Sequence, residues 1–187
     1  MPSIAIVGDG PGGLSAALFL AKAGHTVRVF GTDDTVMHYA FLYNYLGIEA
    51  MSGSDFQAVA RSQVQSQGAE LVAETVTAVA AASGGGFEVT TEGGTSSAEF
   101  LVLGEGKAAP LASSLGLATE GEGVVVDRSG RTSLDGVYVI GRSARPSRSQ
   151  AIISAGDGAA AALDILATIE GKDVQDWDSP PKDDNGA

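Results

Sequence analysis

The N-terminal part of the chain alternates between apolar runs and glycine-rich breaks. Residues 4–7 form a continuous apolar run of strand length, and a turn of glycines with Asp9 and Pro11 follows at 8–13. Alanine and leucine then recur at helical spacing over 14–23, and Gly24 ends that segment. Residues 26–30 are a second segment of strand length, in which valine alternates with threonine and arginine. The pattern therefore predicts one βαβ unit of the usual size.

The rest of the chain continues this mixture of strand and helix patterns. Residues 31–51 are irregular and rich in aromatic side chains, and 171–187 is polar and acidic, which predicts a disordered tail. The remaining predicted elements are helices at 54–67 and 149–169, strand character at 70–82, a hairpin of 87–90 with 95–103, and strands at 124–126 and 137–140. The fold class predicted is α/β, a single Rossmann-like domain over 1–170 whose central parallel sheet carries a small hairpin or meander crossover.

Charge and residue usage narrow the functional classes. The net charge is −12, from 23 acidic and 11 basic residues, and this sign disfavours a nucleic-acid partner. Acidic, lysine-poor surfaces resist association at high salt, so the composition predicts a salt-loving source. The alternative is that the acidic tail exaggerates the charge.

Several other functions are excluded or disfavoured by composition. The sequence has no cysteine, which excludes a disulfide, a thiolate metal site and a redox dithiol. Its two histidines, His25 and His38, are too few for an ordinary zinc site, so no metal is predicted. We find no apolar run of membrane-spanning length and no room for a signal peptide before the first strand, and we expect a cytoplasmic protein.

The glycine turn is the first candidate site. Gly8, Gly10 and Gly13 follow the G-x-G-x-x-G spacing between a strand and a helix, where the motif binds the phosphates of a nucleotide at a helix N-terminus. The alternative is a glycine-rich turn with no ligand. Asp9, at a variable position of the motif, is assigned no catalytic role. Residues 30–32, with Gly31 at their centre, stand where an acidic residue usually binds a ribose hydroxyl, and Asp33 and Asp34 follow slightly later, so the ribose contact stays open.

A second motif lies near the other end of the chain. Residues 131–141 and 149–158 resemble the C-terminal flavin motif of the thioredoxin-reductase-like pyridine-nucleotide oxidoreductases, in which a T-x-x-x-G-V-[FY]-A-x-G-D strand precedes a glutamine–alanine helix start. Residues 44–47 are similar to that family's N-W-P-G segment, and 100–106 to its A-T-G segment. The resemblance implies an FAD/NAD(P)-binding fold, with FAD as the cofactor and NAD(P) as the alternative. The cofactor-binding residues that we predict are Gly8, Gly10, Pro11, Gly12, Gly13, Gly31, Asn44, Gly141, Arg142, Gln150, Ala151 and Ile152.

The sequence also departs from that family. Only residues 105–136 separate Gly104 from Val137, too few for the NADPH domain that the family inserts there. Without a dithiol, the chain is not expected to be a thiol-disulfide reductase. Arg142 replaces the motif aspartate and forms a cluster with Arg145 and Arg148. This cluster is either an anion clamp or a solvated loop.

The functional hypotheses therefore stay open between two classes. The first is a small FAD-binding oxidoreductase whose electrons come from a small-molecule donor or a redox partner protein, with a homodimer as the expected assembly. The second is a non-catalytic nucleotide-binding or interaction module. His38, in the aromatic segment, is a weak catalytic candidate as a proton donor, and a surface position is its alternative.

Overall fold

The structure is a computed structural model that describes residues 1–179. The N-terminal half contains β1 (Ser3–Val7), α1 (Pro11–Lys22), β2 (Thr26–Phe30), β3 (Phe41–Leu42), β4 (Met51–Ser52), α2 (Gly53–Ser66), β5 (Glu70–Val72), β6 (Val76–Ala81) and β7 (Phe87–Thr91). The C-terminal half contains β8 (Gly94–Ala98), β9 (Phe100–Leu103), α3 (Pro110–Ser114), β10 (Thr119–Glu120), β11 (Gly123–Val124), β12 (Val137–Val139) and α4 (Ala151–Glu170). Short 3₁₀ turns occupy Val36–Tyr39 and Gly141–Ser143.

The central sheet is parallel throughout. Its five strands lie in the order β12-β9-β1-β2-β5, so the first strand β1 is central, between β9 and β2, and the last strand β12 is at one edge. The strands β1, β9 and β12 are almost continuous apolar runs because both faces of the sheet are covered. Ile6, Val102 and Val139 have no exposed surface. The predicted α/β fold with a central parallel sheet is confirmed.

Each face of the sheet has its own cover. On one face, Ile4, Ile6 and Val29 pack with α1 and α4 in a single apolar cluster. On the other, Leu101 and Leu103 pack with the antiparallel meander β6-β7-β8 and with α3. The meander is the predicted crossover, and it lies between β5 and β9 in the chain.

Some predicted boundaries are wrong. Residues 95–103, predicted as one strand, belong to two strands, β8 of the meander and β9 of the central sheet. The chain passes from one sheet to the other at Glu99, whose N–H donates to the Ser3 carbonyl at 2.8 Å. Residues 70–82 likewise divide into β5 and β6. In both segments residues compatible with a strand lie on either side of the junction, so the pattern does not show the change of sheet. The helix α3 was not predicted.

Helix α4 corrects the expectation that the chain has no apolar run of membrane-spanning length. It is 20 residues long, with a window of mean hydropathy 1.5, and is the one helix within residues 1–179 that is long and apolar enough to cross a membrane. This length and composition also suit a core helix, and Ala161, Ala162 and Ile165 of α4 have no exposed surface. That the chain does not span a membrane stays a prediction.

The described residues after α4 have no regular secondary structure, but they contact the rest of the domain. Lys22 of α1 pairs through Nζ with Asp176 at 2.8 Å and with Asp178 at 2.6 Å, and Val174 packs on the main cluster. Residues 180–187, the remainder of the predicted tail, lie outside the described residues. Disorder of 171–187 stays a prediction.

Candidate cofactor site

A groove opens where β1, β9 and β12 end. Ligands of parallel α/β sheets bind at this edge, beside the point where the strand order reverses, and here β1 is flanked by β2 and β9. The first compartment of the groove has a volume of about 230 Å³. Its lining residues include Gly8, Gly10, Pro11, Gly12, Gly13, Gly104, Glu105, Gly106, Gly141 and Arg142. Sequence segments from both ends of the chain thus form one cavity.

The glycine turn is packed too tightly for side chains at two positions. Gly8 has φ 102°, and a Cβ there would lie 2.9 Å from the Gly104 carbonyl carbon. A Cβ on Gly13 would overlap the Gly8 carbonyl group. These contacts bring the first turn of α1 to the edge of the sheet.

The N-terminus of α1 is uncapped by any side chain. Gly10 is its N-cap, and Pro11 occupies the first helical position. The N–H groups of Gly12 and Gly13 form no hydrogen bond with other residues of the described chain. Such free donors at the positive end of a helix dipole attract an anion, typically a phosphate.

A second compartment continues the first. Its volume is about 280 Å³, and Arg142, Ser154, Val36 and Pro11 border both spaces. The other residues of its lining are Met37, Ala40, Phe41, Leu42, Asn44, Ser149, Gln150 and Ala151. The two compartments together form an elongated groove that runs from α1 to α4.

The start of α4 borders this second compartment. Gln150 is the N-cap residue but its side chain caps no N–H group of the helix, and it accepts instead a hydrogen bond from Asn44 Nδ2 at 2.9 Å. The N–H groups of Ala151 and Ile152 therefore have no partner within residues 1–179. The Ile152 side chain does not line either compartment. The structure thus brings together Asn44 and Gln150, which sequence reasoning had placed at the same cofactor.

The three clustered arginines have three different environments. Arg142 lines both compartments, and its Nε is buried without a hydrogen-bond partner in the described chain. Arg145 is neutralised by Asp157, whose Oδ1 and Oδ2 lie 3.0 and 3.1 Å from its Nε. Arg148 is exposed and donates only to the Ser147 carbonyl, at 3.2 Å. Only Arg142 is placed to act as an anion clamp.

Glu105 is a groove residue that sequence reasoning missed. Its carboxylate accepts the N–H groups of Leu111 and Ala112, each at 2.9 Å, and so holds the start of α3 against the end of β9. Burial raises the pKa of Glu105, and the two N–H donors oppose that shift. No pattern in the sequence marks this carboxylate, because its partners are backbone groups of an unpredicted helix.

Comparison with known proteins identifies the family. Residues 45–158 match the family model described as pyridine nucleotide-disulphide oxidoreductase. The chain belongs to this family. A thioredoxin reductase of Spironucleus barkhanus is 35% identical over 79 residues, a stretch that covers 41% of this chain and 26% of that relative, about a quarter of its length.

Solved thioredoxin reductases share the fold of this member of the pyridine nucleotide-disulphide oxidoreductase family. The atypical thioredoxin reductase TRi from Desulfovibrio vulgaris Hildenborough superposes with a TM-score of 0.84 at 18% identity, covering 91% of this chain and 99% of the other. A thioredoxin reductase from Gloeobacter violaceus gives 0.80 at 18%, covering 95% and 99%. A ferredoxin-flavin thioredoxin reductase from Clostridium acetobutylicum gives 0.78 at 19%, covering 91% and 98%. The predicted thioredoxin-reductase-like FAD/NAD(P)-binding family is confirmed.

The connection between β9 and β12 includes residues 105–136. Residues 105–136 contain only α3 and the two-stranded pair β10–β11 as regular elements, and no second parallel sheet. The 187 residues contain no cysteine. The groove described above is therefore built without a dithiol of this chain.

The remaining predicted site residues lie outside both compartments. His38 is held at both ring nitrogens, with Ser54 Oγ 2.9 Å from Nδ1 and the Asp33 carbonyl 2.9 Å from Nε2. Gly31 contacts Asp9 and is not part of the cavity lining. The structure does not bring His38 to the groove, and its catalytic role stays a prediction. Among residues 1–179 no cluster of three or more His, Asp or Glu side chains forms a metal-binding arrangement.

Proposed function

We propose that the protein is an FAD-binding oxidoreductase domain whose electron donor and acceptor are separate molecules. The observation that carries this proposal is the continuous groove with free helix N–H groups at each end and the unpartnered guanidinium of Arg142 between them. FAD has the matching order of groups, an adenosine with its pyrophosphate and then a flavin ring. When bound, FAD supplies the electron-transfer chemistry.

Each part of the groove suits one part of that cofactor. The N–H groups of Gly12 and Gly13 bind phosphate oxygens, and Arg142 forms charge-assisted hydrogen bonds with the pyrophosphate. A buried guanidinium nitrogen without an acceptor is costly, and an anion in the groove removes this cost. At the far end, the N–H groups of Ala151 and Ile152 and the dipole of α4 stabilise negative charge on the pyrimidine side of the flavin.

The need for external redox partners follows from what these residues lack. There is no cysteine to exchange with a disulfide, and residues 105–136 hold no second nucleotide-binding unit. A diffusible reductant or a partner protein would therefore have to supply the electrons. Tyr39 and Tyr43, beside residues of the second compartment in the chain, are 90% and 81% exposed, and exposed aromatic side chains suit contact with such a partner. A homodimer, a cytoplasmic location and a salt-loving source stay predictions.

The test is FAD binding by matched arginine variants. Purified protein is expected to show bound-flavin absorption or to acquire it on incubation with FAD. We expect Arg142→Gln to weaken FAD binding by about 10- to 100-fold, because a charge-assisted hydrogen bond is lost. Arg148→Gln, which removes an exposed charge from the same loop, is the control and should change the affinity less than about twofold. A colourless protein that does not bind added FAD would contradict the proposal.

NAD(P) is the alternative occupant of the groove, since NAD shares its adenosine diphosphate half with FAD and NADP adds only a 2′-phosphate to it. Calorimetric titration with NADH and NADPH distinguishes the two, because neither has a flavin ring for the second compartment. Binding of NADH with no binding of FAD would favour the alternative. Anaerobic mixing of the FAD-loaded protein with NADH or NADPH then tests whether the bound flavin can be reduced. Bleaching of the flavin absorption supports an oxidoreductase. An FAD-loaded protein whose flavin is not reduced would favour a non-catalytic nucleotide-binding module.

A further inference from the structure

Exposed apolar side chains are concentrated in residues 36–46, which lie between β2 and β4. Five of the ten large hydrophobic residues that are exposed within residues 1–179 belong to this segment, namely Val36, Tyr39, Phe41, Tyr43 and Leu46. Tyr39, Tyr43 and Leu46 are 90%, 81% and 89% exposed, and the ring centroids of Phe41 and Tyr43 are 4.7 Å apart. A cluster of this kind on a protein surface marks an interaction site. We call these five residues the aromatic patch.

The aromatic patch borders the second compartment of the groove. Val36 and Phe41 line this compartment and are nevertheless 56% and 50% exposed. Asn44, in the same segment, donates to Gln150 at the start of α4 at 2.9 Å. The patch therefore joins the outer surface of the protein to the compartment that suits the flavin ring.

The surroundings of the aromatic patch are acidic. Residues 29–60 contain no lysine or arginine but four carboxylates, those of Asp33, Asp34, Glu49 and Asp55. Asp55 is exposed and close to the patch, because its Oδ2 accepts from Ser52 Oγ at 2.7 Å and Ser52 pairs with Phe41 between β3 and β4. In the loop before α4, Arg148 is exposed. The four acids outnumber this cation, so the surface suits a positively charged partner.

Shape and charge together favour a partner protein over a small molecule or a second copy of this chain. Tyr39 and Tyr43 stand in solvent, whereas small molecules bind in concave sites, so a protein surface is needed to bury both rings. In a twofold dimer formed by this patch, Glu49 and Asp55 would share one interface with the same acids of the other copy. Like charges in an interface oppose association. A partner with basic side chains around an apolar centre matches both features.

We propose that the aromatic patch docks a basic electron-carrier protein, which exchanges single electrons with the flavin. The proposal rests on the FAD binding proposed above. A docked protein covers the compartment without entering it, so electrons pass between the two redox centres and protons exchange with water. When the flavin is the donor, one neutral, fully reduced flavin gives one electron to each of two carriers and its two protons to water. This step needs neither a dithiol nor a second nucleotide-binding unit, and neither is provided by the cysteine-free sequence and residues 105–136.

Electron transfer to two forms of one carrier tests the charge of the docking surface. The FAD-loaded protein is reduced photochemically without oxygen and mixed rapidly with native cytochrome c, whose surface is rich in lysine, or with succinylated cytochrome c, whose lysines have become acidic. At low ionic strength we expect the native form to be reduced about tenfold faster, with a difference that shrinks as salt is added. Glu49→Gln/Asp55→Asn should slow reduction of the native form by about threefold, whereas Glu88→Gln/Glu92→Gln, which removes the same charge from the meander, should change it less than about twofold.

The two tyrosines test the aromatic patch itself. Tyr39→Ser/Tyr43→Ser should slow reduction of native cytochrome c by about tenfold, because aromatic contacts contribute strongly to protein interfaces. The same variant should keep its FAD affinity and should reduce 1,4-benzoquinone, a small acceptor, at the wild-type rate. Trp177→Ser is the matched control and should change neither rate. Trp177 is 87% exposed and follows Asp176, which pairs with Lys22 at the C-terminal end of α1, away from the groove.

Three outcomes would overturn this inference alone, each with FAD-loaded protein. The first is equal reduction rates for native and succinylated cytochrome c, and the second is an equal effect of the tyrosine and Trp177 substitutions. The third is a dimer, measured by light scattering, that Tyr39→Ser/Tyr43→Ser converts into a monomer, because the patch would then be an interface between copies. A protein that binds no FAD would overturn the proposed function, and this inference with it.

Discussion

Two alanine substitutions in α4 test the contact that forms the groove. Gly158 of α4 lies directly on α1: a Cβ there would overlap the Gly12 carbonyl oxygen, and would lie 2.9 Å from the Gly12 carbonyl carbon and 3.0 Å from the Ala16 nitrogen. These are backbone atoms, which cannot move aside without moving the helix. Gly156, two residues earlier in the same helix, has no atom within 4 Å of its added Cβ. The same chemical change therefore meets two opposite environments.

The expected magnitudes follow from these contacts. At an open helical position, Gly→Ala stabilises by about 1 kcal/mol, because glycine loses more backbone entropy on folding. We expect this gain for Gly156→Ala. At position 158 the same gain is opposed by overpacking, which costs about 1–3 kcal/mol, and backbone contacts favour the upper end of that range. Gly158→Ala should therefore be destabilising by about 1–2 kcal/mol, and the two variants should differ by about 2–3 kcal/mol.

Urea denaturation followed by circular dichroism measures both free energies of unfolding, and FAD titration supplies a second readout. Gly158→Ala separates the start of α4 from α1, so it should also weaken FAD binding, while Gly156→Ala should leave the affinity unchanged. Equal stabilisation by both substitutions would refute the close α1–α4 contact. A destabilised Gly158→Ala with unchanged FAD affinity would show that this contact does not shape the groove.

Three further substitutions test other parts of the structure. Burial, and to a smaller extent the hydrogen bond to Asp164, raise the pKa of Tyr138 above its ordinary value of 10. In an alkaline titration, Tyr138→Phe should therefore abolish a phenol absorbance change that occurs above the pH at which exposed tyrosines ionise. In urea unfolding the same substitution should cost about 1–2 kcal/mol. Burial raises the pKa of Glu105 above its ordinary value of 4.5. The stability that this carboxyl group contributes is therefore fully present below pH 4.5 and is lost as the pH rises through the raised pKa. The stability difference between wild type and Glu105→Gln should therefore shrink from pH 4.5 to neutral pH in urea titrations. Asn44→Ala frees Gln150 and should weaken FAD binding roughly three- to tenfold, a loss of about 1 kcal/mol, without changing ADP binding in calorimetry.

The periodicity of the chain was sufficient for the central sheet and its main helices. Apolar runs of strand length and alanine-rich helical segments report burial directly, so β1, α1, β2 and β12 fall close to the predicted places. The pattern failed where two sheets share one stretch of chain. On either side of Glu99, the sequence is equally compatible with a strand, and only the pairing of Phe100 with Ile4 shows that β9 has joined the central sheet.

The candidate site was predicted in outline but not in its charges. Three arginines in one loop look alike in the sequence, and their roles depend on which carboxylate each can reach, so that Arg145 is paired by Asp157 and Arg142 is not.

The assembly of the groove from both ends of the chain has a consequence for biosynthesis. A ribosome-bound chain that has exposed residues 1–140 displays the glycine turn but neither Arg142 nor the start of α4, and so presents half a binding site. If the groove binds the proposed cofactor, binding therefore requires that α4 has been translated. A bound ligand would hold the glycine turn and the start of α4 together, and a hundredfold excess over its Kd would add about 2.7 kcal/mol to the stability. The supply of cofactor in the cell would then contribute to the stability of the folded protein.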